Sequence, residues 1–326
     1  MIKNVFSKIA FTFLSLFILS CGSRVDNEQK KYVLAFCPKL LDNPVFSLAK
    51  IAAEKTAEEM SDSHRRIEIL WSAPTEADAA KQVEIMYGFI NRRVDGIAIS
   101  CNNPDALQPA IDDAIAAGIP TITFDSDSPN SKRITYYGIN DLECGAILAE
   151  NLHRATGGKG TYVIMSGVAG AYNLETRIQG AKQKLQELNS GLELVQTVYC
   201  DDDVAQAVMQ LDQIMRARPT LSGWLVVGGW PLQTDNALIP LEPPGSCAMV
   251  AVDTLPMMWQ YVEKGYVKAL VGQKFFHWGA EGVHILMNII LEQKEYPKFY
   301  WSGMDVVTKD NLEEYKKQWH EWFGES

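Results

Sequence analysis

From Tyr32 onward the chain alternates short apolar runs with amphipathic stretches, and that rhythm leaves it few folds to adopt. Tyr32-Val33-Leu34-Ala35-Phe36 is apolar without interruption, the pattern of a strand covered on both faces. Residues 45–60 then carry Phe46, Leu48, Ile51 and Ala52 at helical spacing. Runs at 67–71, 96–100 and 120–124 predict three more strands, and 76–90 and 106–117 predict the helices between them, the second stopped by Gly118. Short connections in strict alternation predict a parallel sheet flanked by helices.

After Ser128-Pro129-Asn130-Ser131 the order starts again. Helices are expected at 141–156, 175–188 and 204–217, with strands at 161–165, 194–199 and 223–227. Strands at 249–252 and 267–271 flank a helix at 256–264, and 309–322 reads as an amphipathic tail helix packing on this second half. Two similar α/β lobes are the simplest account, and no close internal repeat suggests a solenoid.

The chain opens differently. Lys3 and Lys8 lead into an uncharged stretch at 9–19, too short to span a bilayer but suited to the apolar core of a secretory signal. The string Phe17-Ile18-Leu19-Ser20-Cys21-Gly22 resembles a bacterial lipobox, in which the cysteine is acylated and becomes the first mature residue. The expectation is a signal peptide over 1–20, a lipid on Cys21 and a polar linker over 21–31, which puts the protein in the periplasm or on the cell surface.

Roughly 305 residues then remain, enough for two domains with buried cores. Loss of Lys3 and Lys8 takes the net charge from −10 to about −12, which opposes a grip on nucleic-acid phosphates. No later run is long and apolar enough to cross a membrane. The five remaining cysteines are scattered, so a disulfide scaffold is excluded, although Cys37 and Cys101 follow strand runs whose ends can be neighbours and pair. The histidines at 64, 153, 277, 284 and 320 form no ligand-spaced cluster, and neither a metal nor a cofactor is implied.

In open parallel sheets, ligands sit beyond the carboxyl ends of the strands. Those positions hold Lys39, Asn43 and Phe46; Asp125, Ser126 and Asp127; Asn173 to Arg177; Gly228-Gly229-Trp230; Asp253; and Gln273. Carboxylates, amides and a guanidinium take sugar hydroxyls as paired donors and acceptors, while aromatic faces take sugar C–H groups. Structural readings compete at each position. Asp125 and Asp253 suit turns or caps, Glu175 a helix start, Arg177 a carboxylate brace and Trp230 simple packing, while Lys39 suits solvent and Ser126 and Asp127 a crossing between lobes.

Four stretches carry a family resemblance: Leu41-Asp42-Asn43-Pro44-Val45-Phe46, Gly118 to Asp125, Asn173-Leu174-Glu175-Thr176-Arg177-Ile178-Gln179-Gly180 and Val250-Ala251-Val252-Asp253. In order and spacing they resemble the ribose-type (type I) periplasmic sugar-binding proteins of ABC importers, over nearly the whole mature chain. That resemblance implies two Rossmann-like lobes joined by a three-strand hinge, 32–129 with 274–300 and 130–273 with 301–326. It implies ligand contacts at Asn43, Phe46, Asp125, Arg177, Asp253 and Gln273. Three departures adjoin them: Glu175 where ribose receptors carry arginine, Gly229-Trp230 where they carry Asn-Asp, and Lys39 where they carry serine. Lys39, Glu175 and Trp230 therefore join the candidate ligand set and point to another pentose, a hexose or a polyol.

The implied partners are a small carbohydrate, an importer permease and the membrane reached through the lipid, with the receptor itself a monomer. Three other functions use the same fold or the same residue types. A glycosidase using Asp125 and Asp253 as acid and base has the carboxylates but no nucleophile elbow, phosphate loop or metal triad beside them, so no enzyme is expected. A sugar-responsive repressor carries a helix-turn-helix where this chain has its apolar leader. A sensor presenting the sugar to a chemoreceptor or histidine kinase remains as the alternative.

Overall fold

Leu34, Ala35, Phe36 and Cys37 are all fully buried, because the strand they form lies in the middle of a sheet covered on both faces. In the computed structural model, which describes residues 29–323, this strand is β1 (Lys30–Cys37), paired in parallel with β2 (Arg65–Trp71) and β3 (Gly96–Ile99). β4 (Thr121–Phe124), β5 (Tyr136–Gly138) and β11 (Phe299–Trp301) complete a six-stranded sheet in the order β11-β5-β4-β3-β1-β2. The expected signal peptide, Cys21 and most of the 21–31 linker lie outside the described residues.

A second six-stranded sheet repeats the plan. It contains β6 (Lys159–Ser166), β7 (Gly191–Tyr199), β8 (Gly223–Val226), β9 (Ala248–Val252), β10 (Val267–Gly272) and β12 (Asp305–Val307), in the order β12-β10-β9-β8-β6-β7. Both sheets are doubly wound, with the chain reversing its direction of winding beside the first strand.

Helix starts follow side-chain chemistry. Asn43, Asp78, Asn103, Asn140 and Asp203 each accept a backbone N–H as the N-cap of α1 (Pro44–Met60), α2 (Ala79–Arg92), α3 (Pro104–Ala116), α4 (Asp141–Thr156) and α6 (Val204–Ala217). The remaining helices are α5 (Tyr172–Glu187), α7 (Pro256–Glu263), α8 (Phe275–Glu292) and α9 (Leu312–Phe323). α9 packs on the second lobe: the Tyr315 and Trp319 rings meet Trp259 of α7 edge-on, and the Tyr315 and Thr254 hydroxyls are 2.7 Å apart.

Three crossings join the lobes, at Ile139–Asn140, Gln273–Lys274 and Ser302–Met304. The division expected at 129/130 therefore falls later, because Tyr136-Tyr137-Gly138 pairs with β4 and β11 and belongs to the first sheet. Three residues carry too little pattern to announce a strand; only the neighbouring edges define it. The buried Cys37 and Cys101 are free thiols rather than a disulfide, and burial pushes the Cys37 thiol up to about 12.

Each lobe seats the helix that follows a crossing by the same device. A Cβ on Gly279, fifth residue of α8, would stand 1.8 Å from the Ala49 carbonyl of α1, and one on Gly145, fifth of α4, 1.9 Å from the Arg177 carbonyl of α5. Only glycine permits backbones so close. Gly279→Ala should cost at least about 2 kcal/mol in urea unfolding. In the same assay Gly88→Ala, whose Cβ meets nothing within 4 Å inside α2, should be neutral or gain up to about 1 kcal/mol.

Candidate functional site

Between the lobes, at the carboxyl ends of both sheets, lies a cavity of about 40 Å³. β4 and β9 occupy the same place in their sheets, and each delivers an aspartate to it in the left-handed region, Asp125 at φ 56° and Asp253 at φ 75°. Such backbone strain persists only where its surroundings over-determine it, and it gathers at functional sites. Ser100 Oγ donates to Asp125 Oδ2 at 2.6 Å, and the Tyr136 hydroxyl donates to the Asp125 carbonyl at 3.0 Å. Asp253 Oδ1 accepts from Gln273 Nε2 at 2.9 Å. Gly229 leaves room for the other oxygen, since a Cβ there would be 2.9 Å from Asp253 Oδ2.

Arg177, buried at the start of α5, organises the second-lobe wall. Its Nε donates to Asp141 at 2.8 Å, one terminal nitrogen to the Val227 carbonyl at 3.0 Å and the other to Gln273 Oε1 at 2.9 Å. Arg177 is thus a brace, as one reading of the sequence had it, and through Gln273 it also aims Asp253. Burial pushes the Asp141 carboxyl up to about 7, with the guanidinium pulling it back.

Trp230 is buried and lines the cavity, so packing and cavity wall are not alternatives for it. Cβ atoms on Gly228 and Gly167 would approach its ring to 2.4 and 2.6 Å, so both glycines make room for the indole. Phe46 lines the cavity from the first lobe, and Asn43 does so while its Oδ1 accepts the Val45 N–H. Lys39 is buried rather than solvated, and its Nζ donates across the cleft to Asn173 Oδ1 at 2.8 Å.

Eight of the nine expected positions therefore converge: Lys39, Asn43, Phe46, Asp125, Arg177, Trp230, Asp253 and Gln273. Glu175 does not. On α5 the cleft face holds Asn173 and Arg177, four residues apart, and a residue midway between them turns away. Its Oε1 instead accepts the Gly170 N–H at 3.2 Å. Asp127 is likewise occupied in structure, bonded by Thr123 and held in a buried two-pronged ion pair by Arg133.

Asn173, which the strand-end stretch contains but the expected ligand set omits, also lines the cavity, as do Asp202 and Trp278, which the sequence does not mark. The i,i+4 relation to Arg177 marks Asn173. The acidic run at 201–203 reads as a helix cap, which Asp203 indeed is, and hides Asp202. Trp278 lies on α8, a helix outside the expected elements although Phe275, Trp278, Gly279, Gly282 and Val283 recur at helical spacing.

A family model described as periplasmic binding protein domain matches residues 34–294. The chain belongs to that family. A solute-binding protein of an ABC transporter from Burkholderia graminis, solved in complex with D-arabinose, is 33% identical to this binding protein. The two superpose with a TM-score of 0.79 over 87% of this chain and 98% of the other. The ribose import binding protein of Escherichia coli is 21% identical over 84% of this binding protein and 90% of its own length. The xylose/arabinose-binding protein of Sulfolobus acidocaldarius is 21% identical over 75% of this chain, which spans 64% of that relative.

Burial is the first cause of the raised Asp253 carboxyl, which reaches about 6 even with Gln273 and Arg177 opposing the shift. The stability its protonated form confers is complete below about 3.8, the ordinary value, and is lost as pH rises through about 6. Asp253→Asn removes that ionisation and keeps an acceptor for Gln273. Relative to the unsubstituted binding protein, its thermal midpoint should be higher at pH 8, by the equivalent of about 3 kcal/mol at most, and similar at pH 4.

Proposed function

We propose that this protein captures a monosaccharide or polyol between its lobes and presents the closed form to the permease of an ABC importer. The observation that carries this reading is the convergence of Asn43, Phe46 and Asp125 from one lobe with Arg177, Trp230, Asp253 and Gln273 from the other on a single cavity at the hinge. Membership of a substrate-binding family and the D-arabinose complex of a relative support it.

The chemistry follows from the wall. Sugar hydroxyls donate to Asp125 and Asp253 and accept from Asn43 and Lys39, while Phe46 and Trp230 offer flat faces to ring C–H groups. At about 40 Å³ the cavity holds about three water-sized volumes, far less than the ~300 Å³ at which ligand pockets begin, so entry requires the lobes to part at the three crossings. A ligand touching both walls then favours closure by its differential affinity for the closed state. The protein acts as a monomeric receptor without catalysis, held to the membrane by the lipid on Cys21, whose leash raises its effective concentration at the permease.

Calorimetric titration against pentoses, hexoses and polyols should find a ligand, and silence across the whole panel would sink the proposal. Asp125→Ala should abolish that binding, at least about a hundredfold, while the thermal transition survives. Retained affinity would remove Asp125 from the ligand set. Cys21→Ser should move the protein from the membrane to the soluble fraction in cell fractionation, and continued membrane residence would refute the anchor.

A further inference from the structure

Two residues that line the interlobe cavity each carry a buried polar atom with no hydrogen-bond partner among the described residues, and they come from opposite lobes. One is Asp202 Oδ1, shut from solvent beyond β7 in the second lobe; the other is Trp278 Nε1, in the first turn of α8 in the first lobe. Buried polar groups are almost always paired, and a buried indole N–H in particular finds an acceptor. The two are complementary, since an ionised carboxylate only accepts and an indole N–H only donates. A hydroxyl does both.

We infer, on the reading that the cleft holds a sugar, that Asp202 and Trp278 are two further ligand contacts, and that Asp202 makes the receptor selective for a neutral polyhydroxyl ligand carrying a hydroxyl that donates to it. Each residue is fixed in position. Asp202 has a left-handed backbone, φ 58°, and its carboxylate accepts the Val168 N–H. Gly167 makes room for it, since a Cβ there would stand 1.8 Å from Oδ1 and 2.6 Å from the Trp230 ring, which sets the carboxylate beside a cavity-lining indole. Trp278 is 1% exposed and wedged among Phe46, Phe124 and Phe275, with ring centres 5.9, 6.1 and 5.6 Å away. No described residue around either side chain supplies the missing partner. A ligand that donates to Asp202 and accepts from Trp278 supplies both and ties the lobes together.

Charge gives the selectivity. Among the described residues, with Arg177 matched to Asp141, three carboxylates, Asp125, Asp202 and Asp253, line the cavity against Lys39 alone. An added ligand carboxylate meets repulsion in a desolvated space, so uronic and aldonic acids are excluded, whereas hydroxyls are welcome as donors.

The test is calorimetric titration of the full-length protein, Asp202→Asn and Trp278→Phe with the sugar the unsubstituted protein binds best, with its monodeoxy analogues and with its uronic acid. The asparagine variant should weaken binding at least about tenfold, and one monodeoxy analogue should be weak for the unsubstituted protein yet no weaker than the parent sugar for Asp202→Asn. Trp278→Phe keeps the ring packing and should lose about three- to tenfold. The uronic acid should bind at least about a hundredfold more weakly than its parent. Affinities within twofold for both variants, or a uronic acid bound as well as the neutral sugar, would overturn the inference. If the unsubstituted protein binds no sugar at all, the reading of the cleft fails instead. Thermal melts accompany each titration, and if Asp202→Asn is unfolded, Asp202→Ser and the deoxy series on the unsubstituted protein decide between the same outcomes.

Discussion

Arg177 is the interaction on which the rest of the molecule turns. Its guanidinium reaches Asp141 just beyond the first crossing, the Val227 carbonyl at the end of β8 and Gln273 in the second crossing. One planar fork thereby fixes two of the three hinge segments relative to the second sheet, and Gln273 passes that order on to Asp253. Lysine has neither the plane nor the number of donors to hold three directions at once. The charge is tolerated in the interior because Asp141 matches it; a partner left alone there would cost about 3–5 kcal/mol.

Across the cleft the contacts are of another kind. Lys39 reaches Asn173 at 2.8 Å, and the Asn173 amide reaches Asp125 at 3.4 Å, so the first-lobe carboxylate is bonded by a second-lobe side chain. On the proposed function, these are the groups a sugar hydroxyl would displace on entry. Exchanging one set of hydrogen bonds for another has a small net free energy, so closure responds to modest differences in ligand affinity rather than being locked. The rigid part of the site is within each lobe, and the exchangeable part is between them.

The strands and most helices were legible because burial on both faces leaves unbroken apolar runs and because Asn and Asp caps mark the helix starts. α6 over 204–217 and α4 over 141–156 fall where the pattern puts them. What escaped has little local signature. β5 and β11 are three residues each and exist by virtue of the edges they join. α8 keeps the 3.6-residue period, with Phe275, Trp278, Gly279, Gly282, Val283 and Leu286 buried on one face, but Ile285, Met287, Ile289 and Ile290 extend its apolar surface and leave little polar contrast on the other. Trp278 belongs to that helix and shares its weak contrast. In the site itself, strand-end logic found residues from the inner strands and overlooked Asp202 beyond edge strand β7, where a helix cap one residue later offered a sufficient explanation of the acidic run.

The paired glycines at 145 and 279 have a mechanical consequence. Because α4 and α8 lie backbone to backbone against α5 and α1, neither helix can slide to absorb a rotation at the crossing that feeds it. Each lobe then moves as a lever whose short arm is the crossing and whose long arm ends at the far face of the sheet. On the proposed function, a few degrees at Ile139–Asn140 or Gln273–Lys274 would be magnified into a change of distance between two remote surfaces, and a membrane partner spanning both would gauge occupancy by that distance without touching the sugar.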